Sequence, residues 1–381
     1  MVWLQRSSKR MHSGYRVLIL GASYGSLLAT KLLLARHSVQ LVCLATAANL
    51  TNKEETRVSL PVKGRGGLVE VDSRKLPGEL SADVPGAVDP VAYDLAVLAM
   101  QEPQYRAPDV RDLLAAVAKA RVPCLSIMNM PPLPYLARIP GIAVDQCRTC
   151  YADASVWDVM DPALVTLCAA DPQASRVADR PENAIQVRLP SNFRAARFES
   201  DTHTRLLLSL AADIDAARFD TSAGMLELPV RLKVHDSVFV PLSKWPMLIA
   251  GNYRCIGPDG IRSIAATVHT DLEASRSVYE WVRGLCSSLG AEPEDLVPFE
   301  KYAAAAAALT VPSSAARALF GGASQIERVD RLVQSVAAQQ HIRLPALDDL
   351  VALVDARLKA NQHGDCWQHA PAVGQDSYRP R

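Results

Sequence analysis

Apolar and polar positions along this chain fall into blocks whose period alternates between strand and helix. Residues 16–20 read Arg-Val-Leu-Ile-Leu, a short continuous apolar run of the kind that forms a strand buried on both faces. A leucine-rich stretch over 27–36 then has the length and composition of a helix, and 39–44 reads as a second strand. The alternation recurs with a strand over 94–100, a helix over 109–120 carrying Leu113, Leu114, Ala116 and Val117, and a further buried strand over 123–128. Strands and helices alternating in this way predict a doubly wound parallel sheet. From 142 to 229 the pattern breaks into shorter strands and turns around one amphipathic helix near 202–217. Beyond 235 it is nearly all helical, with candidate helices over 238–252, 261–289, 298–309, 324–340 and 346–360.

Between the first strand and the first helix stands Gly21-Ala22-Ser23-Tyr24-Gly25-Ser26. A strand, a tight turn and a helix are the parts with which a Rossmann-type fold receives a dinucleotide pyrophosphate on a helix N-terminus. The G-x-G-x-x-G spacing falls on Gly21, Ser23 and Ser26. Serine at the second position puts a Cβ where the phosphate should lie, while its hydroxyl can donate to that phosphate. Serine at the third, the helix-packing position, is a milder change. The expected fold class is therefore α/β, an N-terminal Rossmann-like doubly wound sheet followed by a mainly α-helical C-terminal domain. The expected division is a flexible N-terminus over 1–14, a dinucleotide-binding domain over 15–234, a helical substrate or dimerisation domain over 235–361 and a flexible tail over 362–381.

Composition removes several function classes. The chain has 381 residues, a net charge of +1 and 21% charged residues, so no basic or acidic bias points to nucleic acid or a membrane surface. No apolar run approaches the roughly 20 residues that span a bilayer. Eight scattered cysteines make no disulfide framework, and Cys147-Arg148-Thr149-Cys150 has no second pair at zinc-site spacing. No signal-peptide core stands at the N-terminus, so a reducing, cytoplasmic location is expected. The expected partner is a small molecule.

Several separated motifs together resemble the ketopantoate reductase family, within the wider 6-phosphogluconate-dehydrogenase-like group. They are the glycine turn; Tyr93 to Gln101 with its strand; Leu125-Ser126-Ile127-Met128-Asn129-Met130-Pro131; Pro241-Leu242-Ser243-Lys244-Trp245 followed by Asn252; and Pro312-Ser313-Ser314 followed by Glu327. Their order and rough spacing are kept over most of residues 15–360. The resemblance implies a nicotinamide cofactor held by Gly21 to Ser26, with Gln101 and Asn129 beside it. It also implies a catalytic lysine at Lys244, a partner glutamate at Glu327, and substrate contacts from Asn252, Ser313 and Ser314. The segment Leu133-Pro134-Tyr135-Leu136-Ala137-Arg138 is similar to a stretch of opine dehydrogenases.

The chain departs from that pattern in places. The family's lysine is Gln101 here, a substrate-bonding asparagine is Leu248, and the arginine that reads the adenosine 2′-phosphate is Ala45. Asn49, Asn52, Lys53 and Arg57 follow closely and could hold a phosphate, so NADP(H) is favoured over NAD(H).

The residues themselves suit carbonyl reduction. Lys244, in apolar company (Val240, Leu242, Trp245, Met247, Leu248), can donate a proton to a forming alkoxide, and partial burial would bring its acidity toward working pH. The alternative is a lysine snorkelling from an exposed helix. Glu327, taken as helical, could fix that lysine or a substrate hydroxyl. Asn129 stands at the C-terminal end of a strand, where α/β sheets bind ligands. Asn252, eight residues after Lys244, lies about two helical turns along the same face. Ser313 could bind a carboxylate or cap a helix behind Pro312. His235-Asp236 suggests a relay, and Arg194 with Arg197 a carboxylate clamp, against a loop histidine and a solvated strand face.

Other activities remain open. Ketol-acid reductoisomerase chemistry needs an acidic pair for metal, but Asp271 has Ser275 one turn on. Opine-type reductive coupling shares fold and cofactor. A nucleotide-binding sensor without catalysis is the alternative of another class. Alanine-rich segments at 303–308 and around Ala315, Ala316 and Ala318 would suit a homodimer interface or an ordinary core.

Overall fold

Four consecutive apolar residues after Arg16 form an interior strand of an eight-stranded sheet. Its order across the molecule is Leu232–His235, Phe193–Ala196, Val165–Ala169, Cys124–Ser126, Leu95–Leu98, Arg16–Leu20, Ser38–Val42 and Leu80–Asp83. The computed structural model describes residues 14–169, 174–176, 180–222, 224–258 and 260–363. The expected flexible ends lie outside the described residues, save for their innermost positions.

Six strands, from Val165–Ala169 to Leu80–Asp83, run parallel. The remaining two pair parallel with each other but antiparallel to Val165–Ala169, so the sheet is mixed rather than wholly parallel. Some of the short strands expected after 142 thus complete the main sheet. A second sheet, in the order Leu68–Asp72, Arg57–Pro61, Ala184–Val187, Ala174–Arg176, packs on the other side of the first helix.

That first helix, Ala22–Leu34, is buried from Gly25 to Leu34 because layers cover it on both sides. Even Lys31 is buried, and its Nζ donates to the Leu228 carbonyl at 2.9 Å. Gly25 makes the close approach possible: a Cβ there would stand 2.4 Å from Ile19 Cγ2, on a branched side chain with little room to yield. Gly25→Ala should therefore destabilise the fold by about 1–3 kcal/mol, read as a lower urea midpoint at an unchanged m-value. An unchanged midpoint would refute this account of the packing.

The helical half begins with a run over 240–255 whose pitch changes along its length. It is 3₁₀ at Val240–Ser243, α at Lys244–Met247, π at Leu248–Asn252 and 3₁₀ again at Tyr253–Cys255. Gly251 in the wide turn admits the Tyr302 hydroxyl, which would lie 1.8 Å from any Cβ placed there. The expected helix over 261–289 is two, Ile264–His269 and Leu272–Ser288, because Asp271 caps the second by accepting from the Ala274 N–H at 2.9 Å. The expected helix over 324–340 is shorter, Val329–Gln339, and leaves Glu327 in the non-helical segment before it. Helices Phe299–Ala306, Ser314–Phe320 and Pro345–His363 complete this half.

The Leu133 to Arg138 segment is tied to the sheet of its own half and to the start of the helical half. Tyr135 donates to the Val238 carbonyl, and Arg138 donates to the carbonyls of Val165 at 2.7 Å and Arg197 at 2.8 Å. Packing accounts for that motif.

Candidate active site

Strand order reverses between Arg16–Leu20 and Leu95–Leu98, and ligands of open α/β sheets bind outside the strand ends at such a point. Gly21 sits there with φ of +114°, and a Cβ on it would meet the Ala99 carbonyl oxygen at 2.5 Å. Its N–H donates to the Val42 carbonyl at 3.0 Å, which closes the turn onto the neighbouring strand. The first bond of the helix runs from Gly25 N–H to the Gly21 carbonyl at 3.1 Å. Helix geometry leaves the N–H groups of Ala22, Ser23 and Tyr24 without an intrahelical acceptor, and Gly21 has no side chain to cap them. Ser23 is exposed beside them. This donor set fits a pyrophosphate. Ser26 differs from expectation: it is buried, and its hydroxyl donates back to the Ala22 carbonyl. Gly25 takes the packing role that the spacing gives to Ser26.

Four separated chain segments meet beside this turn. Asn129, just beyond strand Cys124–Ser126, donates its Nδ2 to Glu327 Oε2 at 2.9 Å. The other carboxylate oxygen accepts from the Met130 N–H at 3.4 Å and the Glu102 N–H at 3.3 Å. Glu327 is 6% exposed. Burial raises its pKa, while the bond from Asn129 and the nearby Lys244 charge pull the other way. Lys244, also 6% exposed, donates its Nζ to the Tyr24 hydroxyl at 3.3 Å. Tyr24, expected only as part of the phosphate turn, therefore reaches into the same site. The sequence signal for it is a phenol inside a turn that otherwise carries small residues.

The loop bearing Glu327 is held firmly. Its carbonyl accepts from the Tyr253 hydroxyl, whose oxygen accepts from the Val329 N–H at 3.0 Å. Arg328 pairs with Asp330 through two bonds of 3.0 and 2.9 Å and with Asp355 at 2.5 Å, and Arg331 meets Asp355 at 2.7 Å.

Glu102 carries no motif and is absent from the expected site. It is 3% exposed, and both of its oxygens stand 3.2 Å from the Ala152 N–H. Burial first, and the neighbouring Glu327 charge as well, push its carboxyl up to about 7, against the bonds from Ala152 and Asp153. A carboxyl raised in the folded state binds its proton more tightly there. Its contribution to stability is full below the unfolded pKa of about 4.3 and is lost as pH rises to about 7, on the order of 3 kcal/mol. Glu102→Gln should thus lose less stability than the wild type between about pH 5 and about 7.5 in urea melts. Parallel pH profiles for the two proteins would refute it.

Other expected residues are placed differently. Ser313 caps helix Ser314–Phe320 by accepting from Ala316 N–H at 3.1 Å, and donates to the Asn252 carbonyl at 2.6 Å. Its hydroxyl serves the fold, while Ser314 is exposed. Asn252 ends the π segment, whose wider turn changes its register from the two α-turns assumed. Gln101 is exposed, and its N–H is taken by Gln104 Oε1 at 2.9 Å. Leu248 is part of the core.

Arg194 donates to Ser243 Oγ and to the Asp295 carbonyl, both at 3.2 Å, and Arg197 is engaged by Asp201 and by the Phe198 carbonyl. These two arginines do not form a carboxylate clamp. Burial first, and the Arg194 charge as well, lower the pKa of His235, while Asp236 stands exposed near Arg197. Of the four phosphate candidates, Asn52 is occupied by the N–H and carbonyl of Ala82, both at 2.8 Å, and Arg57 by Asp72 at 4.0 Å. Asn49 and Lys53 remain exposed. Cys147 and Cys150 are buried thiols that burial makes harder to ionise. Among the described residues no group of His, Cys, Asp or Glu could hold a metal ion.

No family model matches the sequence, and no curated protein matches it. Solved structures do. A candidate ketopantoate reductase from Ralstonia solanacearum MolK2 superposes with a TM-score of 0.63 at 15% identity, over 92% of this chain and 99% of that one. The chain has the ketopantoate reductase fold. A dimeric ketopantoate reductase from Staphylococcus aureus gives a TM-score of 0.57 at 9% identity, over 91% of this chain and 99% of that one. A D-mandelate dehydrogenase bound to NADH and anilino(oxo)acetate gives 0.59 at 12% identity, again over 91% and 99%. Within the ketopantoate reductase fold, the cluster of Tyr24, Asn129, Lys244 and Glu327 lies where the sheet of one half meets the helices of the other.

Proposed function

We propose that this protein is a nicotinamide-dependent oxidoreductase that reduces the carbonyl of a small, carboxylate-bearing substrate, with Lys244 as the proton source. The observation that carries this reading is the convergence of Lys244, Asn129 and Glu327 beside an uncapped helix N-terminus at the switch point of the sheet. The keto-acid and hydroxy-acid chemistry named for the structural neighbours supports the substrate class.

The turn at Gly21 to Tyr24 would hold the cofactor pyrophosphate through its backbone N–H groups. A bound reduced nicotinamide supplies a hydride to a carbonyl carbon. The chain's residues supply the rest. The Lys244 ammonium stabilises negative charge growing on the carbonyl oxygen and is the source of the proton that it takes up. Glu327, held by three N–H donors, fixes the amide of Asn129 so that its remaining polar atoms face ligand in one orientation. Exposed Asn49 and Lys53 favour NADP(H) over NAD(H). A homodimer is proposed by analogy with the dimeric neighbour. No described helix is long and apolar enough to cross a membrane, and a cytoplasmic location belongs to this proposal.

Titration of NADPH and NADH against tryptophan fluorescence, followed by a screen of 2-keto acids for loss of nicotinamide absorbance, tests the reading. Binding of NADPH with turnover of a keto acid is the expected result. Binding without turnover across the panel would favour a non-catalytic nucleotide sensor, and no binding of either cofactor would remove the dinucleotide site altogether.

A further inference from the structure

Tyr24 connects the phosphate-binding turn to the lysine of the helical half. It lies in the opening turn of helix Ala22–Leu34, half-buried, with its hydroxyl 3.3 Å from Lys244 Nζ and its ring centroid 6.0 Å from the same nitrogen. A phenol in that position does nothing for pyrophosphate binding that backbone N–H groups do not already do. It does place a second acidic proton at the site, on an atom already bonded to an ammonium.

We propose that Tyr24 is the immediate proton donor of this site and that Lys244 reaches the forming alkoxide through it. The inference rests on the reductase reading above. In the step, the Tyr24 O–H bond breaks and an O–H bond forms on the alkoxide generated by hydride from a reduced nicotinamide. The resulting phenolate takes a proton from Lys244, and the neutral amine recovers one from solvent. The ammonium makes this feasible because it stabilises phenolate over phenol. Titratable groups that feel the Lys244 charge include Glu327 and, on strand Val165–Ala169, Cys168. Burial drives both toward their neutral forms, so they oppose that stabilisation weakly.

The pair has a readout that needs no cofactor. The chain has ten tyrosines, and burial pushes Tyr93, Tyr105, Tyr135, Tyr151, Tyr253 and Tyr279 above the ordinary phenol range. A phenol ionising early therefore stands apart in a tyrosinate absorbance titration of the ligand-free protein. The wild type should show one such step, ahead of the other phenols. Tyr24→Phe, which keeps the ring, should lack it, and Lys244→Met should move it upward. In turnover, Tyr24→Phe should lower kcat by about 10²–10⁴-fold with NADPH affinity by fluorescence unchanged. Reduction of a 2-keto acid by wild-type protein that lacks the early step, or by Tyr24→Phe at the wild-type rate, would overturn the role of Tyr24 alone. An early step in a protein that reduces nothing would instead overturn the reductase reading and the donor role with it.

Discussion

Lys244→Met is expected to lower kcat by about 10²–10⁴-fold while leaving the fold intact. The substitution keeps an unbranched side chain among Leu242, Trp245 and Leu248 and removes only the ammonium. Lys244 donates to Tyr24 and shares its field with buried Glu327, so a urea melt run in parallel checks that the variant is folded. NADPH affinity should change little, because the proposed pyrophosphate donors lie on the turn at Gly21 to Tyr24 and not on the 240–255 run. Stopped-flow turnover together with fluorescence titration separates the two quantities. Turnover near the wild-type value would show that the proton comes from elsewhere, whatever the cofactor does.

The second large effect is on stability. Asp330 is 0% exposed and takes both bonds of the Arg328 fork, so Asp330→Ala strands a buried guanidinium. Breaking such a pair costs about 3–5 kcal/mol, and the surviving bond from Arg328 to Asp355 keeps this case toward the lower end. The urea midpoint reports the loss. Glu327 stands three residues upstream on the same braced loop, so NADPH-dependent turnover should fall as well. A variant as stable as the wild type would show that the network contributes no net stabilisation.

The interior strands were legible because both-face burial writes itself as uninterrupted apolar residues at 17–20 and 95–98. Reversal of the last two strands was not, since four-residue strands carry no mark of direction. Local rules also misplaced Glu327. The apolar period that marks helix Val329–Gln339 gives no sharp start, and the Tyr253 and Asp330 contacts that set the loop come from distant or buried partners. Lys244 and Asn129 could be found from motif resemblance, whereas Glu102 and the Tyr24 contact arise only in three dimensions. Gly25 shows the same limit: the spacing pointed one residue further, and the Ile19 methyl decides the matter.

The missing side chain at Gly251 has a mechanical consequence. The Tyr302 hydroxyl fills the space and donates to the Met247 carbonyl at 3.3 Å, so helix Phe299–Ala306 is keyed into the run that carries Lys244. Rotation of either about its own axis breaks that contact. Any ligand that draws Lys244 inward must pull the two together, as a latch moves with its bolt, and the compliance for that movement has to come from outside the keyed pair.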